Sequence, residues 1–222
     1  MMDPLFDFTG KIVLVTGGSR GLGYQMVKAF AQRGADVIIA SRKLENCEKV
    51  AEECRALGRR AMAFSFHAGR WADCDALIEA AYAEFGRIDV LHNNAALLGP
   101  EIAQNDGDVE HMATALWDRT YRVNVRGTMI ACRAALPHLR ASRGNIVNTV
   151  SNLALQGHLI QAAYASSKAA IVQLTRSIAT SHGVHGVRCN AVAPGMTVTP
   201  ALLEAFPPAL RKAVEDETLR DQ

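Results

Sequence analysis

The chain has few of the features that mark a disulfide-bonded, metal-bearing or membrane-bound protein. Its 222 residues include five cysteines, Cys47, Cys54, Cys74, Cys132 and Cys189, and no two of them form a C-x-x-C pair. An odd, scattered set argues against a disulfide framework or a zinc site. It favours reduced, mostly buried thiols in a cytoplasmic protein. The histidines are scattered too. His182 and His185 are neighbours but lack a carboxylate or cysteine partner, so no metal site is expected. No apolar stretch approaches the ~20 residues of a membrane span. The N-terminal segment from Met1 to Asp7 has neither a cationic n-region nor an apolar h-region, which speaks against a signal peptide and leaves organelle import open. Neither charge dominates: Lys and Arg number 24 against 22 Asp and Glu. No basic block is long enough to track a nucleic acid, and Arg59-Arg60 reads as a turn with two charges. The expected partners are therefore small molecules or other subunits. With no repeat, low-complexity tract or linker, residues 1–222 are expected to form one domain.

What is present is a regular alternation. Lys11 to Thr16 is apolar on both faces, as a buried parallel strand should be. A glycine-rich turn follows, then a helix to about Arg33 closed by Gly34. Further strands are expected at Asp36 to Ala40, Arg60 to Phe66, Ile88 to His92, Asn145 to Val150 and Val187 to Val192. Between them lie helices over Leu44 to Leu57, Trp71 to Phe85, about Asp108 to Leu139, and Gln161 to His182. Such alternation predicts an α/β fold: a doubly wound parallel sheet with helices on both faces, Rossmann-like, with six strands. The segment from Pro200 to Gln222 reads as a loop and one or two polar helical turns, interrupted by Pro207-Pro208.

The turn between the first strand and helix reads Thr16-Gly17-Gly18-Ser19-Arg20-Gly21-Leu22-Gly23. Gly17 permits a tight turn, while Gly21 and Gly23 allow close backbone approach. The helix N-terminus that follows offers free N–H groups and partial positive charge to a pyrophosphate. The spacing is G-x-x-x-G-x-G rather than the general G-x-G-x-x-G. The second strand ends Ile38-Ile39-Ala40-Ser41-Arg42, without the acidic residue that would bind the ribose 2′-hydroxyl of NAD. Arg20 and Arg42 suit a 2′-phosphate instead, which favours NADP(H) over NAD(H); their plain alternative is two solvated surface arginines.

A second constellation is Tyr164, Lys168 and Ser151. Positions i and i+4 share one helix face, so the phenol and the ammonium of Tyr164-Ala165-Ser166-Ser167-Lys168 can enter one cleft. A free tyrosine has a pKa of about 10, and a nearby cation lowers it. A hydroxyl from another element, such as Ser151, can hold a substrate oxygen against the phenol. Singly, each residue is more simply a core tyrosine, a solvated lysine or a strand-end serine.

Taken in order, these motifs resemble the short-chain dehydrogenase/reductase family in its compact single-domain form, over nearly the whole chain. The resemblance rests on the glycine loop, Asn93-Asn94-Ala95-Ala96, Asn124 in Val123-Asn124-Val125-Arg126-Gly127, then Ser151, Tyr164, Lys168 and Pro194-Gly195. It implies an NAD(P)-dependent oxidoreductase that moves a hydride between the nicotinamide and an alcohol or carbonyl. Tyr164 would be the general acid or base, Ser151 would orient the substrate oxygen, and Lys168 would lower the tyrosine pKa and hold the nicotinamide ribose. Asn124 would hold a relay water. Gly17, Ser19, Arg20, Gly21, Leu22, Gly23, Ser41 and Arg42 would bind the phosphates and ribose. Asn94 and Ala95 would line the adenine ribose, with His67 near the adenine, and Pro194, Gly195 and Thr197 the nicotinamide. Homodimers or homotetramers through the long helices are implied as well. Enoyl reductases of related fold space tyrosine and lysine more widely. Sugar-nucleotide epimerases are longer and use a different glycine spacing.

Three positions depart from the family pattern. Ala96 stands where glycine is usual, and its methyl is tolerable unless the backbone needs positive φ. His67 stands where an aspartate is common, free to stack, to hydrogen-bond or to face solvent. The family's seventh strand is not visible before Gln222, which would leave the sixth strand as an edge and part of the substrate wall unbuilt. That absence motivates a second expectation: a cofactor-binding or scaffolding protein with little catalysis. Leu153, Leu155, Gln156, His158 and Ile160 are expected to line the substrate.

Overall fold

The computed structural model describes residues 4–158 and 160–197, apart from the side chains of Pro4, Pro100, Glu101 and Ala103. Six strands form one parallel sheet: β1 (Ile12–Thr16), β2 (Asp36–Ser41), β3 (Ala61–Ser65), β4 (Val90–Asn93), β5 (Asn145–Thr149) and β6 (Arg188–Val192). Their order is β3-β2-β1-β4-β5-β6. The chain builds outward from β1 in one direction, then returns to build outward in the other. That reversal between β1 and β4 opens a crevice at the carboxyl ends of the strands, where such sheets bind ligands.

The inner strands form because their residues are largely buried on both faces, whereas β3 is mostly half-buried and β6 mostly exposed at the two sheet edges. All five residues of β1 and all four of β4 are buried. Alternate side chains feed two cores. Leu14, Ile38, Leu91 and Ile146 pack on one face. Val13, Val15, Val37, Ile39 and Val90 pack on the other. The helices present stripes to match. On α1 (Gly21–Gln32) the buried residues are Gly23, Val27 and Ala31, one per turn. On α2 (Leu44–Ala56) they are Cys47, Val50, Ala51 and Cys54. On α3 (Trp71–Phe85) they are Cys74, Leu77, Ile78 and Ala81, and Gly86 closes that helix in the left-handed conformation with φ +73°. All five cysteines are buried free thiols.

The remaining helices are α4 (Pro100–Asn105), α5 (Thr114–Tyr121), α6 (Gly127–Ser142) and α7 (Ala162–His182). The mostly helical stretch expected over about 108–139 is made by α5 and α6, starting later and ending later. One wider π turn, Arg122–Arg126, joins them. The short α4 lies in what reads from sequence as plain loop. The expected turns over 200–222 lie outside the described residues, as does any further strand there. None of the described helices is long and apolar enough to cross a membrane.

Strand register sets the site. Thr16 pairs with Ala40 on one side and Asn93 on the other, Asn93 pairs with Asn148, and Thr149 pairs with Val192. The glycine loop, Ser41, Asn94, Ser151 and Pro194 therefore leave the sheet at the same end.

Candidate active site

The glycine loop is locked from two sides. Gly17 N–H donates to the Ala40 carbonyl at 2.7 Å, tying the loop to the end of β2, where Ser41 is half-buried and Arg42 exposed. From β4, the Asn94 side-chain nitrogen donates to the carbonyls of Thr16 and Gly17, at 3.1 and 3.2 Å. The Thr16 hydroxyl accepts the N–H groups of Asn94 and Ala95, each at 3.1 Å. Asn94 thus spends its amide nitrogen on the loop itself. Gly17 has φ +69°, and a Cβ on Gly23 would come within 2.2 Å of the Gly17 carbonyl oxygen. Only glycine fits there without moving the loop.

This loop suits a dinucleotide. Arg20 stands at the N-cap of α1 and makes no side-chain cap, so the leading N–H groups of that 12-residue helix are left for a ligand. Gly21 and the Arg20 guanidinium are exposed beside them, with Ser19 and Leu22 half-buried. His67 is half-buried; its Nδ1 accepts the Gly69 N–H at 3.0 Å, shaping the turn after β3. Among the described non-glycine residues only Arg143 and Gln161 have positive φ, so Ala96 takes an ordinary backbone and its methyl brings no strain.

The second cluster lies at the ends of β5 and β6 and the start of α7. Lys168 is 2% exposed, and its Nζ donates to the Thr149 carbonyl at 2.7 Å. Burial pushes its pKa down to about 8. The same Nζ lies 5.7 Å from the centre of the Tyr164 ring. Burial pushes the Tyr164 phenol above its ordinary range, and a hydrogen bond with the Ser151 side chain works in the opposite direction. The lowering by Lys168 expected from sequence is not the balance found: desolvation dominates, and the hydroxyl rather than the ammonium opposes it. The Ser151 Oγ also accepts the Leu153 N–H at 3.2 Å, starting a short turn over Asn152–Ala154.

Asn124 sits inside the π turn and is fully buried. Such a turn adds a residue to the helix and commonly marks a functional site. Its Oδ1 accepts the Leu97 N–H at 2.7 Å, and its Nδ2 donates to Ser167 Oγ at 3.0 Å. Ser167 in turn donates to the Tyr164 carbonyl at 2.7 Å. Asn124 therefore reaches the backbone of Tyr164 through one hydroxyl. Pro194 is half-buried and its carbonyl accepts the Asn152 N–H at 3.1 Å, which ties the segment after β6 to the Ser151 turn. Gly195 and Thr197 are exposed at that mouth, as are Leu155, Gln156, His158 and Ile160, while Leu153 is half-buried.

A pattern of the short chain dehydrogenase family matches residues 11–208. The chain belongs to that family. It is 32% identical over 206 residues to a 7alpha-hydroxysteroid dehydrogenase of Bacteroides fragilis, covering 92% of this chain and 78% of that one. It is 36% identical over 192 residues to a 2-(R)-hydroxypropyl-CoM dehydrogenase of Xanthobacter autotrophicus, covering 86% and 76%. A Neurospora crassa peroxisomal hydratase-dehydrogenase-epimerase is 35% identical over 210 residues, where the match takes 91% of this chain but 22% of that longer protein. Among solved structures, an NAD+-bound xylitol dehydrogenase superposes with a TM-score of 0.83 at 27% identity, covering 89% and 75%. A short-chain dehydrogenase/reductase from Mycobacterium marinum gives 0.79 at 29% identity, covering 86% and 74%. Membership makes this chain an NAD(P)-dependent oxidoreductase acting on CH–OH groups.

Sequence reasoning missed four contributors to the site. Thr149 offers Lys168 a backbone carbonyl, which no side-chain motif signals. Thr16 holds Asn94 and Ala95, Ser167 links Asn124 to Tyr164, and Asp106 holds the start of α7. Ser167 and Thr16 are the two with a visible signal, since one lies within the Tyr164-to-Lys168 stretch and the other opens the glycine turn.

Proposed function

We propose that this chain interconverts a secondary alcohol and its carbonyl with NADP(H) as the preferred cofactor, and that Tyr164 is the general acid/base. The observation that carries the reading is the Ser151 hydroxyl bonded to the Tyr164 phenol with the Lys168 ammonium 5.7 Å from the centre of that ring, at the same end of the sheet as an uncapped helix start with a glycine turn. Gly17, Ser19, Gly21, Leu22 and Gly23 would hold the diphosphate. Arg20, Ser41 and Arg42 would take the 2′-phosphate, and His67, Asn94 and Ala95 would border the adenosine. Pro194, Gly195 and Thr197 would border the nicotinamide, which when bound supplies or takes up the hydride.

The chain's own residues handle the oxygen and its proton. Tyr164, kept protonated by burial, is ready to donate to a carbonyl oxygen and to take the proton back from an alcohol. Ser151 aims a second hydroxyl at the same place. Donors fixed where negative charge develops stabilise it without reorganisation. Lys168, with its pKa near 8, lies within reach of proton exchange at working pH and would anchor the cofactor ribose. Asn124 would hold the relay water, with Leu97 and Ser167 already fixing its amide. The chain works as one domain, as a homodimer or homotetramer; buried free thiols suit the cytoplasm.

The test is Tyr164→Phe assayed with NADP(H) and NAD(H) over a panel of secondary alcohols and ketones. Loss of turnover with retained NADPH fluorescence titration is expected. Unchanged turnover would sink the acid/base role, and tighter NADH than NADPH binding would reverse the cofactor reading. Tight binding with no turnover of any panel member by the wild type would make the chain a cofactor-binding protein.

A further inference from the structure

The start of α7 is capped from far away. A helix leaves its first N–H groups without intrahelical acceptors, and a neighbouring Ser, Thr, Asp or Asn usually accepts one of them. Gln161 occupies that place with φ +66° and no side-chain cap. Asp106, in the loop between α4 and α5, serves instead. Its Oδ1 accepts the Ala163 N–H and its Oδ2 accepts the Tyr164 N–H, each at 2.9 Å. The Asp106 carbonyl accepts the Gln161 N–H at 2.6 Å, and the Gly107 carbonyl accepts the Ala162 N–H at 3.3 Å. Four successive donors, from Gln161 to Tyr164, thus end on two residues of a remote loop.

The carboxylate is 1% exposed. A buried carboxylate is expensive unless hydrogen-bonded, and bonds from backbone N–H groups to a charged acceptor are stronger than neutral ones. Its place at the start of a 21-residue helix is also favoured by the helix dipole. Tyr164 is gripped at both ends of its own backbone: its N–H by Asp106, its carbonyl by Ser167, which Asn124 holds.

The geometry points to Asp106 as a positioning residue, whose carboxylate fixes the first turn of α7 and through it the place of the Tyr164 phenol in the cleft. The inference rests on the acid/base reading of Tyr164. Small displacements of a reacting group cost rate steeply, because the productive geometry must be held to a fraction of an ångström. Asp106, buried and bonded to main-chain N–H groups, acts through the backbone.

The experiment compares wild type, Asp106→Ala, Asp106→Asn and Tyr164→Phe. Steady-state kinetics would use NADP(H) with the secondary alcohol that the wild type turns over fastest. Hydrogen exchange would be read on peptides spanning residues 161–165 and 170–180. In Asp106→Ala, kcat should fall at least ~10-fold with the cofactor KM within ~3-fold. Amides of 161–165 should exchange at least ~10-fold faster while those of 170–180 hold. Asp106→Asn keeps one acceptor oxygen and should be intermediate in both readouts, which also carries the comparison should the alanine variant not accumulate folded. Wild-type kcat in Asp106→Ala overturns the proposal. So does a loss of kcat with unchanged exchange at 161–165, or faster exchange spread evenly along α7, which marks a fold-wide role. Asp106→Asn matching the wild type in both readouts overturns it too. Full turnover by Tyr164→Phe removes the acid/base reading, while exchange at 161–165 in the Asp106 variants still decides whether Asp106 holds the turn.

Discussion

Lys168 donates to the main-chain carbonyl of Thr149 at 2.7 Å, inside a region where the ammonium is 2% exposed. A single carbonyl is a poor substitute for water around a full charge, so burial brings the lysine pKa from 10.5 down to about 8. Between about pH 8 and 10.5 the unfolded chain holds a proton that the folded one has released, so this lysine's contribution to stability rises with pH across that window. Below it the folded state carries the full cost of a buried ammonium. A shift of this size corresponds to about 3 kcal/mol. The stability of wild type minus that of Lys168→Met should therefore rise between pH 8 and 10.5 in urea titrations. A flat difference would mean that Lys168 keeps its ordinary affinity for protons.

The glycine loop should be intolerant at Gly23. A Cβ there would sit 2.2 Å from the Gly17 carbonyl and 2.6 Å from the Asn94 side-chain nitrogen. The first is backbone, so the loop must move rather than a side chain swing aside. Gly23→Ala is expected to weaken NADPH binding at least ~10-fold, since a displaced backbone no longer presents its N–H groups. Gly183, in open space beyond α7, is the control: Gly183→Ala should bind NADPH within ~2-fold of wild type. Fluorescence titration of both variants decides it.

How much of this was legible depends on the range of each contact. The six strands and the Trp71–Phe85 helix follow from local apolar patterns and turn glycines; the strands differ from expectation by a residue or two and the helix keeps its expected bounds. The π turn was invisible, because inserting one residue at Asn124 leaves composition and period nearly unchanged. The wider dependence on backbone was invisible too. Lys168 on the Thr149 carbonyl, and α7 on Asp106, are partners 19 and 57 residues away, chosen by the sheet order rather than by neighbours in the chain. The phenol's upward shift was misjudged for the same reason. Spacing reveals that a cation is near, but not how thoroughly water is excluded from both groups.

Cofactor choice should respond to charge at the end of β2. Arg42 is exposed there, directly after half-buried Ser41, while Arg20 is exposed beside the α1 start. A guanidinium pairs with a phosphate dianion far better than with a ribose hydroxyl, whereas a carboxylate does the opposite. Ser41→Asp combined with Arg42→Ala should weaken NADPH binding at least ~10-fold and strengthen NADH binding. The Arg20→Ala change alone should weaken NADPH severalfold with little effect on NADH. Equal effects on both cofactors would place these arginines on the shared diphosphate rather than on the 2′-phosphate.

Thr149 has a second buried partner, and it gives the acid side of the stability profile. His92 on β4 is 5% exposed, with Nε2 3.1 Å from the Thr149 hydroxyl, and burial pushes its pKa from 6.5 down to about 4. The folded state therefore keeps this imidazole neutral where the unfolded chain would protonate it. Stability from this group is fully present above about pH 6.5 and is lost as pH falls through 4. The loss amounts to about 3 kcal/mol over that range. His92→Gln retains an amide able to meet the Thr149 hydroxyl but cannot titrate. It should start less stable at pH 7, because its shape differs in a tightly packed strand, yet lose less stability on acidification. Denaturant titrations at pH 7, 5.5 and 4 would show the two curves converging. Parallel curves would mean that the acid loss of the wild type comes from other groups, and that His92 is protonated in the fold without penalty.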